Sequence, residues 1–102
     1  MIVIAGTMPI NPAKRDEAAE AARTMSAASK AEPGCGAYEF SWDISDPNLL
    51  RIHEEWASQE AIDGHFAAPH MAVFGAAIGG LIAGAPAITR FEVSSSGPLH
   101  GG

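Results

Sequence analysis

The stretch Cys35-Gly36-Ala37-Tyr38-Glu39-Phe40-Ser41-Trp42-Asp43-Ile44, then Ser45-Asp46-Pro47-Asn48, then Leu49-Leu50-Arg51-Ile52-His53-Glu54-Glu55-Trp56, decides the fold. Tyr38, Phe40 and Trp42 alternate with Glu39, Ser41 and Asp43, the period-two signature of a strand with one buried face. Pro47 presets φ, and Asp46 and Asn48 can bond to local backbone, so residues 45–48 read as a turn. Leu49 to Trp56 reads as the second strand of an antiparallel hairpin.

Upstream, Ile2 to Ile10 opens β-branched and apolar and reads as a strand. Asn11-Pro12 is a helix start, with Asn11 as N-cap and Pro12 where its missing N–H costs nothing. Ala13 to Ala31 is built from good helix formers. Ala18, Ala22, Met25 and Ala28 or Ser29 form a narrow apolar stripe, and Lys14, Asp16, Glu17, Glu20 and Arg23 lie opposite. Pro33-Gly34 ends this helix. Downstream, Ser58 caps a second helical region in which Ala61, Ile62, His65 and Phe66 share a side. Pro69 interrupts it, and Met71, Phe74, Ile78 and Ile82 continue the stripe. Gly79-Gly80 reads as close packing within this apolar helix, with Gly84 weakening its end. Pro86 to Val93 reads as the last strand.

The order β-α-β-β-α-β predicts an α+β, ferredoxin-like domain over residues 1–93. Its antiparallel four-stranded sheet is covered by helices on one face. A loose tail follows over 94–102. The other sheet face is bare unless a second copy covers it, so a homodimer is expected. Any pocket should then lie enclosed between helices and sheet.

Bulk properties narrow the function. The chain has 102 residues, one domain by length, and 47% of them are hydrophobic. Six Lys and Arg against twelve Asp and Glu give a net charge of -6, which repels nucleic acid and anionic membrane surfaces. A single cysteine, Cys35, cannot form an internal disulfide. No signal-peptide pattern opens the chain and no apolar run is long enough to span a bilayer, so a cytoplasmic location is expected.

Glu32-Pro33-Gly34-Cys35, Tyr38, the Asp46-Pro47 turn, Glu54-x-Trp56, Ser58, His65, Ala68-Pro69-His70-Met71 and Phe74 occur in an order that resembles the antibiotic biosynthesis monooxygenase family. The resemblance implies a dimeric α/β-barrel of two ferredoxin-like sheets. It also implies, for many members, oxygenation of quinols and polycyclic phenols without a cofactor. Haem-degrading members are similar at Trp56 but use an Asn on the first strand. Here that neighbourhood is Gly6-Thr7-Met8, which counts against haem.

Oxygenation without a cofactor needs a substrate that reduces dioxygen itself, and phenolates do this better than phenols. The site should therefore offer a base, hydrogen-bond donors and apolar walls. His65 is the candidate base, since imidazole as a group titrates near neutrality. Its alternative is a core histidine held by a carboxylate or carbonyl. Trp56, Tyr38, Phe66 and Phe74 are the candidate aromatic wall around a small aromatic substrate, with Trp42 a further lining candidate. Ordinary core packing is the alternative for each. His70 sits at the helix break or the pocket mouth. Glu54 shares the face of Trp56 and needs a partner, with Arg90 or a histidine expected. His53 falls on the opposite face. His65 and His70 are five apart with proline between, unlike the i, i+4 spacing of helical ligand pairs, so no metal is expected. Two other classes use the same scaffold: a non-catalytic module binding a small hydrophobic ligand, and an isomerase or cyclase.

Overall fold

The computed structural model describes residues 1–100. Strands β1 (Ile2–Pro9), β2 (Cys35–Trp42), β3 (Leu49–Trp56) and β4 (Ala87–Glu92) form an antiparallel sheet in the order β2-β3-β1-β4. Helices α1 (Arg15–Lys30), α2 (Gln59–Phe66) and α3 (Pro69–Gly79) complete the ferredoxin-like order, the last two being one helical region divided at Pro69. Asn11 accepts a 3.0 Å hydrogen bond from the Ala13 amide and caps a short 3-10 turn, Pro12–Lys14, so the α-helix proper begins two residues later than its composition suggests.

The register places Ile2 opposite Trp56, Ile4 opposite Glu54, Gly6 opposite Ile52 and Met8 opposite Leu50. Cross-strand partners share a face. These residues, with Tyr38, Phe40 and Trp42 of β2, therefore look towards the helices. A register shift at Gly36, a bulge, brings Cys35 onto the same face. Two core clusters result. Ile2, Met25, Tyr38, Ile52, Trp56 and Ile62 pack at one end, and Met8, Ile10, Ala18, Ala22, Leu50 and Leu81 at the other. Phe40 and Phe74 bridge the two.

Two glycines are required by close approach. A Cβ on Gly6 would lie 2.2 Å from the Ala87 carbonyl oxygen, so β4 can pair with β1 only past a bare backbone. Gly34 has φ +82°, and a Cβ there would lie 2.6 Å from that of Ala61, so α2 packs directly on this turn.

Three expectations need correction. Gly79-Gly80 does not lie at a close contact: Gly79 ends α3 and a Cβ there would meet nothing within 4 Å. Strand β4 carries no helix over either face, and all six of its residues are exposed, because α3 turns aside to pack on α1. The space between helices and sheet is filled by Trp56, Tyr38 and His65, at 0%, 2% and 2% exposure, so clefts at its margins replace an enclosed chamber. Residues 94–100 form no helix or strand, and 101 and 102 lie outside the described residues.

Candidate functional site: a carboxylate and two imidazoles beside a buried tryptophan

The site is assembled where α1 ends and α2 begins. After Ala31 the chain turns through Glu32-Pro33-Gly34, with the Cys35 amide bonding the Glu32 carbonyl at 3.2 Å and the Ala57 amide bonding the Gly34 carbonyl at 2.8 Å. Ser58 caps α2 by accepting from the Ala61 amide at 3.2 Å. Ala61 rests on Gly34, and His65, one helical turn further, therefore reaches Glu32. Its Nδ1 lies 2.6 Å from Glu32 Oε2. An ionised carboxylate only accepts, so Nδ1 carries the hydrogen of this contact. The imidazole also packs on Trp56, ring centres 4.7 Å apart, and on Tyr38 at 5.4 Å.

Past His65 the chain turns tightly, the Ala68 amide bonding the His65 carbonyl at 3.1 Å, and Pro69 starts α3. His70 is thereby brought back towards His65, ring centres 5.9 Å apart. Its Nε2 stands 3.2 Å from Glu32 Oε2, close enough for charge attraction but off the angle for a hydrogen bond, so this buried nitrogen has no hydrogen-bonding partner among the described residues. Chain spacing hides this proximity: Pro69 re-aims His70, and Glu32 arrives from another segment. Ligand atoms of Glu32, His65 and His70 lie within 4.8 Å of one another.

Glu54, 6% exposed, accepts a 2.9 Å hydrogen bond from the Trp56 indole. Burial raises its carboxyl above the ordinary carboxylate range, and the indole donor pulls the other way. The folded chain thus holds this proton more tightly than the unfolded chain does. That contribution is complete below the ordinary range and is lost as pH rises through the raised value. Glu54→Gln, which keeps an oxygen for Trp56, is therefore expected to be more stable than the parent at neutral pH. The advantage should shrink as pH falls into the ordinary carboxylate range. Urea midpoints at the two ends check this, and a variant weaker at neutral pH contradicts it. Burial, then Glu54, also raises the Tyr38 hydroxyl, and burial, then Glu32, raises the Cys35 thiol, so neither is a ready anion.

Two expected site residues face solvent. Phe66 is 59% exposed, because α2 turns Ile62 and His65 inwards and ends at Phe66, whose ring lies beside that of His65 with centres 5.7 Å apart. Arg90 lies on the sheet face of Glu54 but pairs with its strand neighbour Glu92 at 3.3 Å, out on the uncovered β4. Phe74 and His70 line a cleft of about 370 Å³ between α1 and α3, with Met25, Val73 and Ala77. Trp42 lies under the Arg15 guanidinium at 4.3 Å, away from His65. His53 is on the outer face, 2.8 Å from Glu55. Glu32 and His65 open on a second cleft, about 430 Å³, with Gly34, Ser58, Glu60 and Gly64. Both clefts are in the size range of small-ligand pockets.

The profile described as "Antibiotic biosynthesis monooxygenase" matches residues 1–77. An uncharacterised Synechocystis protein is 34% identical over 73 residues, 72% of this chain and 50% of that protein, so the chain spans about half the length of this curated relative. A candidate antibiotic biosynthesis monooxygenase of Deinococcus radiodurans superposes with a TM-score of 0.90 at 24% identity, over 99% of this chain and 100% of that one. Another, from Caulobacter crescentus, gives 0.88 at 28% identity over 92% and 90%. Among the described residues, no helix is long and apolar enough to cross a membrane.

Proposed function

This chain belongs to the antibiotic biosynthesis monooxygenase family, and on that premise we propose that it oxidises a quinol or related phenolic aromatic with dioxygen, without a cofactor. The observation that carries the proposal is the Glu32–His65 pair, 2.6 Å apart on the wall of an open cleft. In this reading Glu32 fixes the imidazole tautomer and stabilises the imidazolium that forms. Nε2 takes the phenolic proton. The phenolate passes electrons to dioxygen; one oxygen atom enters the ring and the other leaves as water, the substrate supplying all the electrons. Trp56 and Tyr38 hold the imidazole and keep bulk water from its buried side.

The test is oxygen uptake by the purified protein over a panel of hydroquinones. Uptake with product carrying one atom of labelled oxygen is the expected result. Absence of uptake across the panel favours the binding module, a reading supported by the apolar α1–α3 cleft. Product without uptake favours the isomerase.

We also infer a homodimer. Val3, Ala5 and Thr7 of β1 and Phe91 of β4 share the outer sheet face, and Phe91 is 50% exposed. Face-to-face packing of two copies would cover them and the otherwise bare β4. Light scattering after gel filtration is expected to give twice the chain mass. A monomer at micromolar concentration contradicts this assembly.

A further inference from the structure

We propose that Glu32, His65 and His70 form a binding site for one divalent transition-metal ion of the zinc class, with the remaining coordination positions open to water. Two imidazoles and one carboxylate are the donor set that suits zinc or iron(II), whereas magnesium and calcium prefer all-oxygen sites. Bonds of about 2.0–2.2 Å place the ligand atoms of a tetrahedral ion about 3.4 Å apart. Glu32 Oε2 is already 3.2 Å from His70 Nε2 and 2.6 Å from His65 Nδ1, and the whole set lies within 4.8 Å. The His65–Glu32 contact must open slightly and the imidazoles must close on the ion. The ion would take the place of the hydrogen now between Nδ1 and Oε2, and that hydrogen would move to Nε2 of the same ring or leave to solvent as a proton.

Three further observations favour a cation here. Among the described residues the buried His70 Nε2 lacks any hydrogen-bond partner, an unfavourable state that a metal bond would relieve. Glu54 is a further carboxyl beside the cluster, bonded to the indole of Trp56 on which the His65 ring packs. Glu32 and His70 are 14% and 23% exposed, and each lines an open cleft, so an ion has a way in. The ion and the proposed base chemistry use the same His65 nitrogen environment, so the metal-loaded protein and the oxygenase are distinct states. The site therefore does not depend on the oxygenase reading.

The test is calorimetric titration of the full, tag-free chain with zinc chloride, and absorption spectroscopy with cobalt(II) as a coloured probe. One ion per chain is expected, with cobalt bands showing nitrogen and oxygen ligands. Glu32→Gln and His70→Ala are each expected to weaken binding at least about tenfold, the lower bound even for losses of supporting residues around a metal. Both lie at the site margin and can be checked for folding by circular dichroism, which covers the case in which His65→Ala fails to fold. His53→Ala should leave binding unchanged. No saturable binding, binding that survives His70→Ala, or binding lost in His53→Ala overturns the proposal.

Discussion

Replacement of His65 by alanine is expected to lower the hydroquinone-dependent oxygen uptake rate by about a hundredfold or more, the usual contribution of a positioned general base. The loss should appear in kcat, since the imidazole acts on a proton in flight and not on bound substrate as a whole. The residue is 2% exposed and packed between Trp56 and Tyr38, so the alanine variant will also be less stable. Rates are therefore compared at a temperature where circular dichroism shows both proteins folded. His65→Gln provides the second arm: it keeps polar volume and a donor for Glu32 but offers no comparable base, and should be as slow as alanine. Glu32→Gln should fall between, because the amide can still accept from Nδ1 but does not stabilise the imidazolium. Wild-type turnover in either His65 variant would remove the imidazole from the mechanism and leave the family assignment intact.

Much of the fold was legible because its signals are local. The Tyr38-Phe40-Trp42 alternation, the Asp46-Pro47-Asn48 turn and the Ser58 cap each report on neighbours within a few residues, and each appears in the structure where the pattern puts it. His65 was legible as inward-facing for the same reason. Its partner was not: Glu32 lies 33 residues away, and only the tertiary contact of Ala61 on Gly34 joins them. The one available hint was Pro33-Gly34 itself, a turn placing a carboxylate just before a strand. Helical and strand periodicity place Phe66 and Arg90 on inward-facing sides, and the fold leaves both positions uncovered. Periodicity says which residues share a side, and not whether anything lies opposite. The approach of His70 to His65 was hidden in the sequence by Pro69, where a helix break brings residues five apart together.

Trp56→Ala should cost about 3–5 kcal/mol of folding stability, the usual penalty for deleting a large buried aromatic. Domains of this kind have about 5–15 kcal/mol in all, so the loss would be read as a large fall in the urea midpoint. Trp56 is 0% exposed and sits with Ile2, Met25, Tyr38 and Ile62, so its removal opens the end of the core that supports His65. Part of the cost is polar. The indole is the hydrogen-bond donor to Glu54 Oε1 at 2.9 Å, and its loss leaves a buried carboxyl without that partner. Trp56→Phe keeps a six-membered ring but loses the fused pyrrole ring with its N–H, so it combines a smaller cavity with the lost hydrogen bond, the latter at about 1–3 kcal/mol. The indole pulls the Glu54 carboxyl down by favouring its charged form, so without it burial acts unopposed by that bond. The penalty of Trp56→Phe should therefore be largest at neutral pH, where the parent carboxylate uses the bond most, and should shrink in acid as the carboxyl protonates in both proteins. A penalty that stays constant across that range would mean that Trp56 supports this core through its ring alone.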